Sequence, residues 1–223
     1  TGHAVKISFA NEIGNVAQTA GLDGRDVMEI FCQDRKLNLS EKYLRPGQAF
    51  GGSCLPKDLR ALTQYARVRS LDIPLMNSVL VSNRVQVDKA IDLVLGQDSR
   101  RVGVLGFSFK AGTDDLRESP VVELVERLLG KGYDLRIFDE SVEIARLIGS
   151  NQDFIAQRVP HLSDILADTV DDVLAHSDVI VIGTNGAQHA DVLDRAGGQH
   201  LVIDLVGLDG ADRTDAQYIG ICW

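Results

Sequence analysis

The sequence predicts a mixed α/β chain, in which an all-helical first part precedes a Rossmann-like domain with a parallel sheet. Residues 1 to 96 show helical periodicity without a strand pattern. From residue 101 onward, short runs rich in Val and Ile alternate with helical segments, which predicts right-handed crossovers and a sheet covered on both faces. A polar break, GQDSRR at 96 to 101, separates the two patterns. We therefore predict a helical domain over 1–96 and an α/β domain over 97–223.

The helical part contains several amphipathic segments and one long irregular segment. Apolar residues recur at helical spacing from Ala4 to Ala20, and Gly21 is suited to ending that helix. Asp23 is a candidate N-cap for a second, short helix. Further helices are predicted over 55–69 and 75–95, each with a proline near its first turn. Residues 34 to 53 match no element, and their apolar content favours a functional loop over disorder.

The second part repeats a strand and helix pattern. The predicted strands are 101–109, 134–139, 178–183 and 200–206, and the predicted helices are about 119–131, 141–149, 168–175 and 187–196. Ligands of such domains bind outside the carboxyl ends of the strands.

Composition excludes several classes of function. The chain has 223 residues and a net charge of −9, which disfavours nucleic acid and anionic membrane surfaces as partners. No apolar run is long enough to cross a bilayer. Three cysteines without CxxC spacing argue against disulfides and structural zinc, so we expect a reducing, cytoplasmic compartment. The five histidines show no ligand spacing, and we predict no metal. Because the chain opens on Thr1 in a helical pattern, we expect it to be part of something longer.

The segment AFGGSCLPKDLRAL, residues 49 to 62, is the strongest candidate for chemistry. Cys54 lies where a helix is predicted to begin, and the helix N-terminus and Lys57 would both favour a thiolate. Asp58 could orient or deprotonate a water, while Gly51 and Gly52 allow a substrate or another backbone to approach closely. Local chemistry alone leaves two interpretations open: Cys54 is a nucleophile, or it is a small buried filler. Cys32 and Cys222 favour the second.

Two further groups of residues suit a sugar or a phosphate. Asn38, Tyr43 and Arg45 lie in the irregular segment, where charged and hydroxyl groups would bind such a ligand. Without the neighbouring cysteine, a solvated surface loop would be the favoured interpretation of these residues.

After the first predicted strand, GFSFKAGTDDLRESP at 106 to 120 places Lys110, Thr113 and Arg117 where α/β sheets bind phosphate. Asp139 ends the second predicted strand, where it is a candidate for a ribose hydroxyl or an ordinary turn residue.

With these motifs in view, the chain resembles the nucleotide-sugar 6-dehydrogenases, the UDP-glucose and GDP-mannose dehydrogenase family. FGGSCLPKD at 50 to 58 resembles the family's catalytic-cysteine signature, and residues 106 to 120 resemble its C-terminal domain signature. FANEIGN at 9 to 15, the segment from Leu37 to Asp58 and the ending GICW look closest to the GDP-mannose branch.

The resemblance implies an NAD-dependent, two-step, four-electron oxidation of a sugar C6 alcohol to a carboxylate. Cys54 would attack the C6 aldehyde and form a thiohemiacetal, whose oxidation leaves a thioester that water hydrolyses. Asp58 would assist the water, and Lys57 would stabilise charge near the sulfur or cofactor. Arg117 would reach the NAD diphosphate. The remaining residues that the resemblance assigns to the substrate are Asn38, Tyr43, Arg45, Phe50, Gly51, Lys110, His3 and Asn11.

The family also implies a homodimer paired through the central helix, which would carry His3 and Asn11. The family begins with an NAD-binding domain with a GxGxxG turn, and this sequence contains no such turn. We therefore expect a C-terminal portion that is inactive alone. Two alternatives stay open at this point, a dehydrogenase of UDP-glucose or another UDP-sugar, and a stand-alone nucleotide-sugar-binding or dimerisation module.

Overall fold

The computed structural model describes residues 1–36, 38, 40–110, 112, 116–145, 162–187 and 190–223. Thr113, His161, His189 and the end of the helix predicted over 141–149 lie outside the described residues. Within the described part of the chain, no helix combines the length and the apolar character that a membrane span requires.

The regular elements among the described residues of the first part are all helices, as predicted. The helices are α1 Gly2–Thr19, α2 Gly24–Cys32, α3 Leu55–Val68 and α4 Pro74–Leu95. Asp23 caps α2, since its carboxylate accepts a hydrogen bond from the Arg25 N–H at 2.7 Å. Proline occupies the first turn of both α3 and α4, where a missing N–H costs little. Between α2 and α3 the described residues form turns and irregular backbone.

The second part is an α/β domain with a parallel sheet, which confirms the predicted fold class. Its helices are α5 Pro120–Gly130, α6 Glu140–Ala145, α7 Leu162–Ile165, α8 Val170–His176 and α9 Val192–Arg195. Its strands are β1 Arg101–Leu105, β2 Asp134–Phe138, β3 Val179–Ile182, β4 Leu201–Asp204 and β5 Gln217–Gly220. The five strands are ordered β2-β1-β3-β4-β5, and all neighbours are parallel. The sequence prediction missed β5, a short edge strand with little apolar pattern.

Helices cover both faces of the sheet, and side chains alternate between these faces along each strand. Val179 and Val181 of β3 belong to the core under α4 and α5, whereas Ile180 and Ile182 belong to the core under α8 and α9. Fully burying each of these side chains contributes about 1.5–3 kcal/mol. The alternation explains why all four positions are apolar.

Helix α4 belongs to the core of both parts. Its first half packs through Val79 against Phe50, and its second half packs through Ile91 and Val94 into the core of the sheet. The predicted domain boundary at residue 96 stays a prediction, because the apolar core continues across it.

The C-terminal residues return to the helical part. The Cys222 carbonyl accepts a hydrogen bond from the Gly24 N–H at 3.0 Å, and the Gln18 amide donates to the Gly220 and Trp223 carbonyls at 3.1 and 3.2 Å. The Arg25 guanidinium lies 4.5 Å from the centroid of the Trp223 ring. These contacts fix the end of β5 against α1 and α2.

Tyr218 joins this C-terminal contact to the sheet. Its hydroxyl donates to the buried Asp204 carboxylate at 2.7 Å and accepts from the Trp223 indole N–H at 2.9 Å. Burial, followed by the charge of Asp204, raises the pKa of Tyr218, so the hydroxyl keeps the proton that it donates. Asp204 also accepts hydrogen bonds from the backbone N–H groups of residues 206 to 208.

We predict that Tyr218→Phe lowers the free energy of unfolding by about 1–3 kcal/mol, because it removes the O–H donor to the buried Asp204 carboxylate and the acceptor of the Trp223 indole N–H. Urea unfolding measures the change. Tyr65→Phe is the matched control, since Tyr65 is 56% exposed on α3. Equal unfolding midpoints for the two variants would contradict this role of the hydroxyl.

Candidate active site

Cys54 lies at the N-terminus of α3 with an exposed side chain. It is the N-cap residue of this 14-residue helix, and its carbonyl accepts the Asp58 N–H at 3.0 Å. Its sulfur lies 3.8 Å from the Ser53 hydroxyl. Exposure rules out the buried-filler interpretation, and the helix N-terminus provides a positive electrostatic environment for a thiolate.

Lys57 and Asp58 occupy the first turn of α3, beside the thiol. The Lys57 ammonium lies 3.7 Å from the Asp58 carboxylate, and the two side chains are 72% and 61% exposed. Both charged groups are accessible to solvent, and their positions three and four residues after Cys54 place them on the same side of the helix start. Their catalytic roles stay predictions.

The two glycines before the cysteine let two distant segments of backbone touch. A Cβ atom on Gly51 would lie 2.3 Å from the Glu118 carbonyl oxygen. Gly52 has φ +82°, and a Cβ there would lie 2.7 Å from the Phe109 ring. Both neighbours belong to the segment 106–120. The glycine pair therefore brings residues 47–54, here called the cysteine loop, against the second signature.

An ion pair strengthens the same contact. Arg60 of α3 donates to both carboxylate oxygens of Glu118, at 2.8 and 2.9 Å. This bidentate pairing raises the pKa of Arg60, chiefly through the side-chain hydrogen bond, and it holds a turn in which Glu118 has φ 55°. Arg117 is exposed on this turn, and Lys110 is exposed in the loop that follows β1. Their predicted contacts with cofactor and substrate are not tested by the geometry.

The end of β1 adjoins the topological switch point of the sheet, where the chain order reverses between β1 and β3. Gly106 has φ +85°, and a Cβ there would lie 2.0 Å from the Thr184 hydroxyl oxygen. A Cβ on Gly183 would lie 2.3 Å from the Gly106 carbonyl. Nucleotides bind at this position in open parallel sheets.

Asp139 has a structural role in the turn after β2, which is the second of the two interpretations that the sequence left open. Its buried carboxylate accepts the N–H groups of Phe107, Ser108 and Ser141 at 2.7, 2.9 and 3.1 Å. It thus ties the loop after β1 to the start of α6. This arrangement argues against the ribose hypothesis, because backbone N–H groups already occupy the carboxylate.

The irregular segment presents several of the predicted substrate residues at the surface. The Tyr43 ring stacks on His3, with centroids 4.4 Å apart and an angle of 19° between the planes. Arg45 is 78% exposed and pairs with Glu41 at 3.3 Å. Asn38 donates to the Phe31 carbonyl at 3.4 Å. These residues lie near α1 and α2, and their predicted substrate contacts stay predictions.

Two other predicted substrate residues are buried and contact the chain itself. Asn11 is 3% exposed, and its amide binds the backbone at Gly47 and Gln48. Phe50 is 6% exposed in a cluster with Leu59. A direct substrate contact for either residue stays a prediction.

A cleft of about 510 Å³ opens between α3, α4 and α5, beside the cysteine loop. Phe50 and Asn83 line its inner part. Ion pairs surround it, with Arg84 2.5 Å from Glu123 and Arg127 3.0 Å from Asp88. Sequence analysis missed Asn83. The available signal was a polar residue on the apolar side of a predicted helix, four positions from both Val79 and Val87.

The other two cysteines are also free thiols, but they are less exposed than Cys54. Burial raises the pKa of Cys222, which is fully buried, and that of the half-buried Cys32. Among the described residues, no group of three or more His, Cys, Asp or Glu side chains could hold a metal ion.

These features define an α/β protein that presents an exposed cysteine next to the loop at the topological switch point of its parallel sheet. Residues 1–85 match the central domain of the UDP-glucose/GDP-mannose dehydrogenase family, and residues 103–209 match the UDP binding domain of the same family. The chain belongs to the UDP-glucose/GDP-mannose dehydrogenase family.

Known proteins of this family differ in their similarity to the chain. The GDP-mannose 6-dehydrogenase of Pseudomonas aeruginosa is 53% identical over 221 residues, which are 99% of this chain and 50% of that protein. The solved ternary complex of the P. aeruginosa GDP-mannose dehydrogenase superposes with a TM-score of 0.77 and covers 99% of this chain and 50% of that one. A UDP-glucose dehydrogenase from Pyrobaculum islandicum is 31% identical with a TM-score of 0.82, covering 99% of this chain and 48% of that one.

The chain therefore spans about half the length of these relatives. The two structures superpose about equally well, so the fold does not discriminate between the two sugar nucleotides. Sequence identity favours the GDP-mannose branch.

We predict that Gly51→Ala lowers the free energy of unfolding by about 1–3 kcal/mol, because the new methyl group would overlap the Glu118 carbonyl, which can move only if its backbone shifts. Thermal unfolding measures the loss. Gly130→Ala is the control, since a Cβ at that position meets no atom within 4 Å. If both variants unfold like the wild type, the two loops do not depend on the close approach at Gly51.

Proposed function

We propose that this chain is the C-terminal part of an NAD-dependent GDP-mannose 6-dehydrogenase, which oxidises the sugar C6 alcohol to the carboxylate of GDP-mannuronate. One observation carries the proposal: the cysteine of FGGSCLPKD is exposed at a helix N-terminus, and the two glycines that precede it pack against the second family signature. The 53% identity to a GDP-mannose 6-dehydrogenase supports the choice of branch.

In the proposed mechanism, Cys54 keeps the reacting carbon bound between the two oxidations. Its thiolate attacks the C6 aldehyde to form a thiohemiacetal, and loss of a hydride and a proton converts this adduct into a thioester. Water then adds to the thioester carbonyl, and the C–S bond breaks to release the carboxylate and restore the thiol. The N-terminus of α3 and Lys57 stabilise negative charge on sulfur and oxygen, and Asp58 accepts a proton from the water.

NAD, when bound, supplies the hydride acceptor for each oxidation. Arg117 fits its diphosphate, because an arginine on the turn beside the cysteine loop suits bidentate binding of phosphate oxygens. Lys110, in the loop after β1, has the charge and exposure to bind the sugar nucleotide. His3, Tyr43 and Arg45 form an exposed group suited to a sugar or a phosphate.

We also propose a homodimer that pairs through the helical part. Every large apolar side chain that is exposed among the described residues lies in the helical part, and the α/β domain contributes none. Phe9 of α1 and Phe31 of α2 form an exposed aromatic pair with centroids 5.4 Å apart. Apolar surface concentrated on one part of a protein is typical of a subunit interface. The free cysteines support a reducing, cytoplasmic location.

For the full-length protein, we predict that GDP-mannose yields two NADH for each acid formed. Cys54→Ser should lower the rate of acid formation by about 10⁴-fold or more, because the variant lacks the nucleophile. Absorbance at the NADH band and mass spectrometry of the sugar follow the reaction. Cys32→Ser is the matched control.

Unchanged acid formation by the Cys54 variant would remove this residue from the mechanism. Turnover of UDP-glucose in preference to GDP-mannose would support the UDP-sugar alternative. Binding of nucleotide sugars without oxidation by the full-length protein would support the alternative of a binding or dimerisation module.

We further predict that Phe9→Glu converts the dimer to a monomer, because a buried carboxylate at the interface would lose its hydration. Light scattering measures the mass in solution. Ala190→Glu adds the same charge at an exposed position of the α/β domain and should leave the dimer intact. A dimer that persists in the Phe9 variant would place the interface elsewhere.

A further inference from the structure

Residues 47 to 50 have no regular secondary structure, yet side chains of α1 and α4 bind their backbone. The clearest case is Phe50, whose N–H donates to the Asn83 Oδ1 at 2.8 Å and whose carbonyl accepts from the Asn83 Nδ2 at 2.9 Å. A paired residue on an adjacent antiparallel strand makes the same double exchange. The carboxamide of Asn83 thus supplies the two backbone hydrogen bonds that a neighbouring strand would otherwise make.

Gly47 and Gln48 are held in the same manner. The Gly47 N–H donates to the Asn11 Oδ1 at 2.9 Å, and the Gly47 carbonyl accepts from the Gln86 Nε2 at 2.5 Å. The Asn11 Nδ2 donates to the Gln48 carbonyl at 3.4 Å. Asn11 and Gln86 are only 3% and 2% exposed, so a lost partner here would leave a buried polar group unpaired.

A second layer of contacts fixes the orientation of these amides. The Gln86 Oε1 accepts from the Asn15 Nδ2 at 3.0 Å. The Asn15 Oδ1 in turn accepts from the Lys89 ammonium at 2.6 Å and from the Cys222 thiol at 3.4 Å. Because the Gln86 oxygen is engaged by Asn15, its nitrogen points toward the loop.

We propose that Asn11, Asn83 and Gln86 form a carboxamide cradle that positions the cysteine loop for the reaction, and that Asn83 is its principal positioning residue. The inference rests on the proposed dehydrogenase function. The cradle holds the backbone at Phe50, and the start of α3 holds it at Cys54, the N-cap residue. Gly51 and Gly52 lie between these two positions.

Asn83 is the member whose role extends beyond stability. It is half-buried and lines the cleft beside the cysteine loop, where a polar side chain is not needed to complete an apolar core. A covalent mechanism needs its nucleophile within about 0.5 Å of the productive position. An irregular loop has no strand partner that could fix the position of its backbone. In this protein, hydrogen bonds from the carboxamides fix the position of the loop that leads to Cys54.

The first measurement is amide hydrogen exchange of this chain. In Asn83→Leu, which removes both hydrogen bonds and keeps the side-chain size, the Phe50 amide should exchange about tenfold faster or more, as expected when about 1.4 kcal/mol of local protection is lost. Asn77→Leu, at an exposed position of the same helix, is the matched control. Should the leucine variant fail to fold, Asn83→Ala removes the same two hydrogen bonds with a smaller side chain and is measured in the same way.

The second measurement is the kinetics of the full-length protein. We expect kcat for acid formation to fall about 10²-fold in the Asn83 variants, since a misplacement of about 1 Å costs that much, while the KM for NAD remains unchanged. Unchanged Phe50 exchange would overturn the cradle, and faster exchange with unchanged kcat would overturn its role in the reaction. A higher KM for the sugar nucleotide with unchanged kcat would identify a direct substrate contact instead. If the wild type oxidises no nucleotide sugar, the proposed function fails, while the exchange rates still decide whether Asn83 holds the loop.

Discussion

The contact between Gly51 and the Glu118 carbonyl is the constraint on which the arrangement of the site depends. At this point the backbone of the cysteine loop meets the loop of the α/β domain at a distance that leaves no room for a side chain. Phe109 closes over Gly52, and Arg60 pairs with Glu118 beside it. Cys54 is thereby placed next to the loop that follows β1 of the α/β domain.

Hydrogen bonds from side chains take over where regular secondary structure ends. The carboxylates of Asp139 and Asp204 each bind several backbone N–H groups at the ends of β2 and β4, and carboxamides bind the loop at 47 to 50. Buried backbone groups need partners, and a long loop between helices has no ladder to supply them. Two polar residues that are ligand candidates in the sequence, Asn11 and Asp139, make such hydrogen bonds to the chain itself.

Helix α4 packs against both parts of the chain and so connects them. Its apolar side chains enter the sheet core, while Asn83 and Gln86 reach the cysteine loop and Arg84 and Asp88 meet the charges of α5. Family membership agrees with this arrangement, since the matched central and UDP binding domains are the two parts that α4 connects.

The sequence by itself determined the helical first part, four of the five strands and the position of Cys54 at a helix start, because periodicity, caps and prolines act over a few residues. It also contained the signatures that define the family. Only the tertiary structure decided the tasks of Asn11, Asn83 and Asp139, whose partners lie 32 to 36 residues away in the chain. Hydrogen bonds of that span depend on how elements pack, and β5 was missed for the same reason, since an edge strand with a weak apolar pattern is defined by its pairing with β4.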